Sequence, residues 1–140
     1  MMWANVDFIA VIVAAIASFA IGWAWHSPML FGREWMEGSG KSPADLGREK
    51  QNMNMGGSFA VQFVLSLVTA YALAVLINYL HLTSVASAIK LSLLVSIGFM
   101  ATLRYGGVLW MGTSKKLFTI AAGNDIVNTA VMSVILTLWQ

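Results

Sequence analysis

Five strongly polar side chains lie inside otherwise apolar stretches of this 140-residue sequence. Arg104 and Asp125 carry opposite charges, while Gln62, Asn124 and Asn128 supply amide donors and acceptors. A charge within hydrocarbon costs about 3 kcal/mol or more, so each charged side chain is expected to find a partner or water. These residues form the candidate site, and the chemistry they offer is the binding of an ion or a polar substrate.

Four long apolar segments carry these residues. Residues 6–25, 57–80, 85–110 and 117–139 each supply the roughly 20 residues that a helix needs to cross a bilayer core. Backbone groups in hydrocarbon must bond within their own segment, which predicts helices. With 59% hydrophobic and 10% charged residues, the chain cannot cover a water-soluble domain with polar side chains. The sequence therefore predicts an all-α membrane bundle of four transmembrane helices, forming one domain over residues 1–140.

The two charged residues are expected to lie at similar depths in the bilayer. Arg104 lies six residues before Trp110, about 9 Å from that helix end, and Asp125 lies eight residues after Leu117, about 12 Å from the same side. A short connection makes the third and fourth helices antiparallel neighbours, so the two side chains can pair, with the three amides near the same level. Two interpretations stay open. In the structural interpretation, the ion pair fixes the helix register, or the Arg104 side chain snorkels to the interface. In the functional interpretation, the residues form a substrate or proton site that opens to the cytoplasm.

Basic residues predict the orientation of the bundle. They fall in the connection between the first two helices and in that between the last two, whereas the other side has only Lys90. The positive-inside rule places both basic connections in the cytoplasm and both termini on the non-cytoplasmic side. Nucleic acid is not an expected partner, because these residues lie in short loops with no aromatic residues interleaved for stacking. The basic residues of the two connections are Arg33, Lys41, Arg48, Lys50, Lys115 and Lys116.

The first connection, residues 26–56, is predicted to contain a short interfacial element. Pro28 disfavours helix at the residue before it, so the first membrane helix should end near His26. The apolar residues that follow are too few to cross and should lie among lipid headgroups, while Arg33 and Glu34 face water. The apolar residues are Met29, Leu30, Phe31, Trp35 and Met36.

Two further features of this connection are predicted from local pattern. Ser42 as N-cap, Pro43 at the first helical position and Asp45 near the positive helix end indicate a new helix that can run on into the second membrane helix. Glu34 and Glu37 lie three residues apart and are interpreted as a solvated face, since water and Arg33 surround them.

Small residues recur every four positions along each membrane helix. Such spacing lets helix backbones approach closely, which favours helix packing over a pore-lining face. A four-residue step drifts about 40° per repeat, so each stripe holds one face only briefly. The stripes consist of Ala10, Ala14, Ser18 and Gly22; Ser66, Ala70 and Ala74; Ala88, Ser92 and Ser96; and Ala121, Thr129 and Ser133.

A cluster at the end of the first helix resembles a known family signature. The cluster consists of Gly22, Trp25, His26, Ser27, Pro28, Phe31, Gly32 and Trp35. It is similar to the pattern "G..W.SP..FG..W" of the family called domain of unknown function 1761, whose members are small bacterial multi-pass membrane proteins. The similarity extends to "SPAD", to Gly98-Phe99 and to the "LTLW" ending at Trp139, and so covers essentially the whole chain.

The resemblance implies a fold and a location in the bacterial inner membrane, but no activity. The family more often has tyrosine where this chain has His26, so a role for that hydroxyl does not carry over. His26 is interpreted as an interfacial residue, with pH sensing or proton relay as the alternative. His81 is expected at the opposite surface of the membrane from His26, so the two histidines cannot share a metal.

Function is predicted from the site. The chain has no cysteine, no nucleophile–base motif, no phosphate loop and no metal-ligand spacing, so we expect neither an enzyme nor a cofactor nor a metal. The leading hypothesis is a small channel or transporter subunit that forms a homo-oligomer, because one four-helix chain has little room for both a core and a pathway. The alternative is a non-catalytic accessory or assembly subunit of a larger membrane complex, and a membrane enzyme is a third hypothesis.

Overall fold

Polar caps mark where three of the long helices begin. This computed structural model describes residues 6–27, 30–39 and 55–139. The Asp7 carboxylate accepts a hydrogen bond from the N–H of Ile9 at 2.9 Å. Ser84 and Ser114 cap the third and fourth long helices in the same way. Each cap pairs a backbone donor that has no partner within its own helix. The helices are α1 (Phe8–Trp25), α2 (Gly32–Ser39), α3 (Met55–Tyr79), α4 (Val85–Trp110) and α5 (Lys115–Trp139).

Helices α1, α3, α4 and α5 are long and apolar enough to cross a membrane, which indicates a membrane protein. Their bounds lie within two residues of the segments predicted from the sequence. All regular elements in the described ranges are helical, as predicted. Helix α1 ends at Trp25 with His26 as its C-cap, so the predicted end near His26 is confirmed.

Helix α5 lies at the centre of the bundle. Helices α1, α3 and α4 all pack on it, and α1 also packs on α3. By contrast, α3 and α4 make few contacts with each other, although only a short connection separates them in sequence. The bundle is therefore held together through α5, and a gap separates α3 from α4.

The two ends of the bundle differ in packing. We call the end with Trp25, Trp110 and Lys115 the basic end. The opposite end is a dry core, in which Leu73, Ile77 and Leu136 are almost fully buried.

Most of the small residues pack as predicted. Those on α1, α3 and α4 are buried except Gly22, and on α5 Thr129 and Ser133 are buried. Gly22 and Ala121 are half-buried. Helix packing is therefore confirmed for most of these positions, whereas Ser18, Gly22, Ser66 and Thr129 line a cavity between the helices.

Helix α2 docks on the start of α5 at the basic end. The Lys116 ammonium donates to Glu37 Oε2 at 2.6 Å, and the Ser114 hydroxyl donates to the Gly38 carbonyl at 2.6 Å. The two basic connections thus meet at one end of the bundle, as far as their described residues show. The solvated-face prediction fits Glu37, which is exposed, but is wrong for Glu34, which is half-buried with its Oε2 atom shielded from solvent. Docking of α2 on the bundle is the reason.

Several predictions for the first connection lie outside the described residues. They concern the helix-stopping Pro28, the apolar Met29 and the helix start at residues 42–45. The basic residues Lys41, Arg48 and Lys50 also lie there.

A π-helical segment, Ser96–Ala101, interrupts α4, and the sequence did not predict it. In a regular α-helix, Arg104 would lie about 80° from Ser96 around the axis, because eight residues exceed two turns by that angle. A π-helical turn takes up about one extra residue and so removes about 100° of rotation. Arg104 thereby returns to the face that Ser96 presents to α5.

Candidate functional site

A cavity of about 870 Å³ opens within the basic half of the bundle. Its wall comes from the last turns of α1, the first half of α3, the second half of α4 and the middle of α5. All five predicted site residues line it: Gln62, Arg104, Asn124, Asp125 and Asn128. The structure therefore gathers in one cavity the polar residues that the sequence distributes over three helices.

The ion pair between Arg104 and Asp125 forms one side of the cavity. The guanidinium donates through both Nε and Nη2 to the two carboxylate oxygens, with Nη2 to Oδ1 at 3.2 Å. This is the pairing that their depths predict. Asp125 is 14% exposed and Arg104 49% exposed, so the carboxylate lies inside while part of the guanidinium faces the opening. A planar, two-bond pair of this kind also fixes the register of α4 on α5.

Two amides extend the polar wall one turn deeper. Asn128 Nδ2 donates to Asn124 Oδ1 at 2.9 Å along α5. Asn128 is 9% exposed, and its Oδ1 atom has no donor among the described residues. A buried acceptor without a partner costs about 1–3 kcal/mol. Among the polar atoms in the cavity wall, this buried oxygen is therefore the one most in need of a hydrogen-bond donor. Gln62 is exposed on α3.

The hydroxyl groups of the lining are largely occupied within their own helices. Ser66 donates to the Gln62 carbonyl at 3.1 Å, and Thr129 donates to the Asp125 carbonyl at 2.6 Å. Such bonds to the preceding turn satisfy a hydroxyl locally. Strong polarity in the cavity comes from the ion pair and the amides.

The cavity is closed toward the opposite end. Ser18, Thr69 and Met132 are its deepest lining residues on α1, α3 and α5. Beyond them lies the packed core around Leu73 and Leu136. The described part of the bundle therefore holds a one-sided vestibule rather than a continuous pore.

Residues of the predicted signature tie the end of α1 to α5. The Trp25 indole N–H donates to the Ile120 carbonyl at 2.9 Å. The Phe31 ring lies against Trp25 with 4.7 Å between centroids, and the Phe31 N–H donates to the Trp25 carbonyl at 3.0 Å. These contacts turn the chain back over the basic end.

The other described signature residues shape the same turn. The Gly32 N–H donates to the Ser27 carbonyl at 2.8 Å, and a β-carbon at Gly32 would lie 2.7 Å from the His26 carbonyl oxygen. His26 Nδ1 lies 2.9 Å from the Gly22 carbonyl, and its ring lies perpendicular to that of Trp35. Gly22, His26 and Ser27 also line the cavity. The signature therefore forms a structural turn that ends at the mouth of the site.

Sequence reasoning missed two contributors to the site. The first is the π-helical segment, which contributes Met100 to the lining and contains the Gly98-Phe99 pair of the family pattern. The second is the Trp25–Ile120 hydrogen bond, because a tryptophan near a helix end is equally typical of a lipid interface.

The histidines lie at opposite ends of the bundle, with His26 beside the cavity and His81 in the α3–α4 connection. Within residues 6–27, 30–39 and 55–139, no three His, Cys, Asp or Glu side chains come together as a metal site.

Comparison with known proteins supplies a family. A family model described as protein of unknown function (DUF1761) matches residues 9–137. The chain therefore belongs to this family, as its signature predicts. Comparisons with curated proteins and with solved structures found no match.

Proposed function

We propose that this DUF1761 member is a subunit of a small membrane transporter whose ligand binds in the cavity at the basic end. The one-sided vestibule carries the proposal, because it combines an ion pair, an amide oxygen without a donor among the described residues, and a closed floor. A binding chamber open to one side is what a carrier needs, whereas a channel needs a continuous path. We assign no catalytic step to the site.

The proposal includes an orientation and an assembly. Arg33, Lys115 and Lys116 lie at the basic end, so the positive-inside rule favours a cytoplasmic opening and termini on the non-cytoplasmic side of a bacterial inner membrane. The packed core fills the end of the bundle opposite the cavity, which leaves one chain little room for a complete pathway. We therefore propose a homo-oligomer.

Transport is tested in liposomes that entrap a mixed pool of small polar solutes and carry an acyl-labelled phospholipid in the inner leaflet. We expect the wild type either to release at least one of the entrapped solutes or to move the labelled phospholipid to the outer leaflet. The double variant Arg104→Gln/Asp125→Asn should lose that activity, while Lys90→Gln, which changes an exposed cation on the same helix outside the cavity, should retain it. A wild type that moves no probe, or a double variant as active as the wild type, contradicts the proposal.

One observation favours an accessory subunit as the second candidate. Asp125 already has both oxygens paired with Arg104, as a purely structural register device would. Mild-detergent extraction followed by native mass measurement separates the candidates. Copies of this chain alone support the transporter, whereas a stoichiometric second protein supports the accessory subunit.

A further inference from the structure

The cavity is poorly covered on the side between α3 and α4. These helices make few contacts with each other, so the wall of the cavity is incomplete between them. The edges of the gap are apolar. Leu65 on α3 and Leu103 on α4 line the cavity and are also well exposed, Leu103 at 79%. Since both helices can cross a membrane, this gap faces the acyl chains of the bilayer.

A polar chamber behind apolar edges suits an amphiphile better than a free solute. Its head can reach the ion pair and the amides while its chains remain among Leu65, Leu103 and the surrounding lipid. Arg104 lies about 9 Å from the end of α4, inside the hydrocarbon core and in the leaflet at the basic end. A lipid of that leaflet that enters sideways therefore moves its head inward by about that distance.

The hydrogen-bonding atoms that the ion pair does not use indicate which lipid headgroup would bind. Asp125 engages Nε and Nη2 of Arg104, so Nη1 is left to donate to a phosphate oxygen. Asn128 Oδ1 is buried and lacks a donor among the described residues, and it lies one turn beyond Asp125, about 4.5 Å along the axis. A head that joins a phosphate to an N–H donor through a two-carbon spacer provides both partners, and the Asp125 carboxylate favours a cationic donor.

We propose that the ligand of this cavity is a membrane phospholipid with a primary ammonium head, a phosphoethanolamine, which enters through the gap between α3 and α4. The phosphate lies on Arg104 and the ammonium group on Asp125 and Asn128. This rests on the proposed function, since it names the ligand class of the same site. A choline head has the same charges but no N–H donor, so it cannot pair Asn128 Oδ1.

The experiment is native mass spectrometry of the full chain in mild detergent, titrated with three probes. These are dioleoylphosphatidylethanolamine, dioleoylphosphatidylcholine and the chain-free head glycerophosphoethanolamine. We expect the ethanolamine lipid to bind about tenfold more tightly than the choline lipid, which corresponds to one charge-assisted hydrogen bond, and the chain-free head to bind far more weakly than either.

Variants connect this preference to the site. Arg104→Gln/Asp125→Asn removes both charges together, and Asn128→Leu removes the free acceptor while leaving the ion pair intact. Each should reduce the ethanolamine preference to less than about threefold. Lys90→Gln should preserve it, because Lys90 lies outside the cavity. Circular dichroism of each variant verifies the helical fold, and Asn128→Leu keeps the test valid if the double variant unfolds.

Each outcome has a meaning. Equal binding of both lipids, unchanged in the variants, would indicate general annular lipid and overturn the proposal. A chain-free head that binds as tightly as the lipid would overturn sideways entry but leave a polar-solute transporter standing. A lipid-free dimer that covers the gap would show that a second copy occupies it, and this too would overturn the proposal.

Discussion

The indole ring of Trp25 lies against the backbone of Gly123, so closely that a β-carbon there would be 3.0 Å from Cζ2 of the ring. Glycine at this position lets the end of α1 approach α5. The same approach allows the Trp25 indole to reach the Ile120 carbonyl. The packing of the end of α1 on α5 therefore depends on a residue without a side chain.

Gly123→Ala should destabilise the protein. The new methyl group must displace a ring that is held by a hydrogen bond, which costs about 1–3 kcal/mol and exceeds the gain of about 1 kcal/mol from replacing glycine in a helix. Gly106→Ala on α4 is the matched control, because its β-carbon meets no atom within 4 Å and should be neutral or stabilising. Unfolding by denaturant in detergent measures both. Equal effects would show that the Trp25 contact does not restrict this position.

Gly32→Ala should be more harmful than Gly123→Ala. Its β-carbon would lie 2.7 Å from the His26 carbonyl oxygen and 2.7 Å from the Ser27 carbonyl carbon, and these backbone atoms cannot move aside as a side chain can. We expect a loss of about 3 kcal/mol and a weaker contact between α2 and α5. The same denaturation assay, with protease cleavage in the first connection as a second readout, tests this. A variant as stable as Gly106→Ala would contradict the structure of the turn.

The fold could be predicted from the sequence because a bilayer restricts the choices. Four apolar stretches that are long enough and nearly free of charged residues define the membrane spans. A charged residue within the hydrocarbon requires a partner. Depth alone then placed Arg104 opposite Asp125, and the structure pairs them. The prediction used only the helical rise and the short connection.

The shape of the site could not be predicted in the same way. Whether α3 packs on α4 depends on side-chain fit along both helices, and no pattern of hydrophobicity reveals the gap between them. The π-helical segment shifts the face of every later residue in α4, so a regular helix would place Arg104 wrongly by about 100° around the helix axis. Glu34 illustrates a third limit, since docking of α2 buries a carboxylate oxygen that composition places in water.

A double-mutant cycle should show that Arg104 and Asp125 are coupled. Arg104→Gln leaves a mostly buried carboxylate unpaired, whereas Asp125→Asn leaves a half-exposed guanidinium that can reach water. We therefore expect about 3 kcal/mol lost for the first and about 1 kcal/mol for the second, with the double variant losing less than the sum. Thermal or denaturant unfolding in detergent supplies the four values. Strict additivity would mean that the pair contributes nothing to stability.

The pairing of Glu37 with Lys116 should depend on pH. The hydrogen bond from Lys116 and its positive charge lower the pKa of the Glu37 carboxyl, and Arg33 adds a smaller effect. Because the folded value is below the unfolded one, the contribution is complete above the ordinary glutamate pKa and disappears as pH falls through the lowered value. NMR titration of the carboxyl should show its pKa rising in Lys116→Gln. Lys115→Gln is the control, and an equal rise there would contradict the pairing.

Paired cysteines should show that α2 and the start of α5 share one face of the membrane. The chain has no native cysteine, so Glu37→Cys and Lys116→Cys can be introduced without background. The native side chains meet at 2.6 Å, and we expect rapid cross-linking by a short bifunctional thiol reagent.

Single cysteines that replace Lys41 and Lys115 should be labelled from the cytoplasmic side of the membrane, and a single cysteine that replaces His81 should be labelled from the non-cytoplasmic side. Labelling of Lys41→Cys and Lys115→Cys from different sides would overturn the topology, and with it the cytoplasmic opening of the cavity.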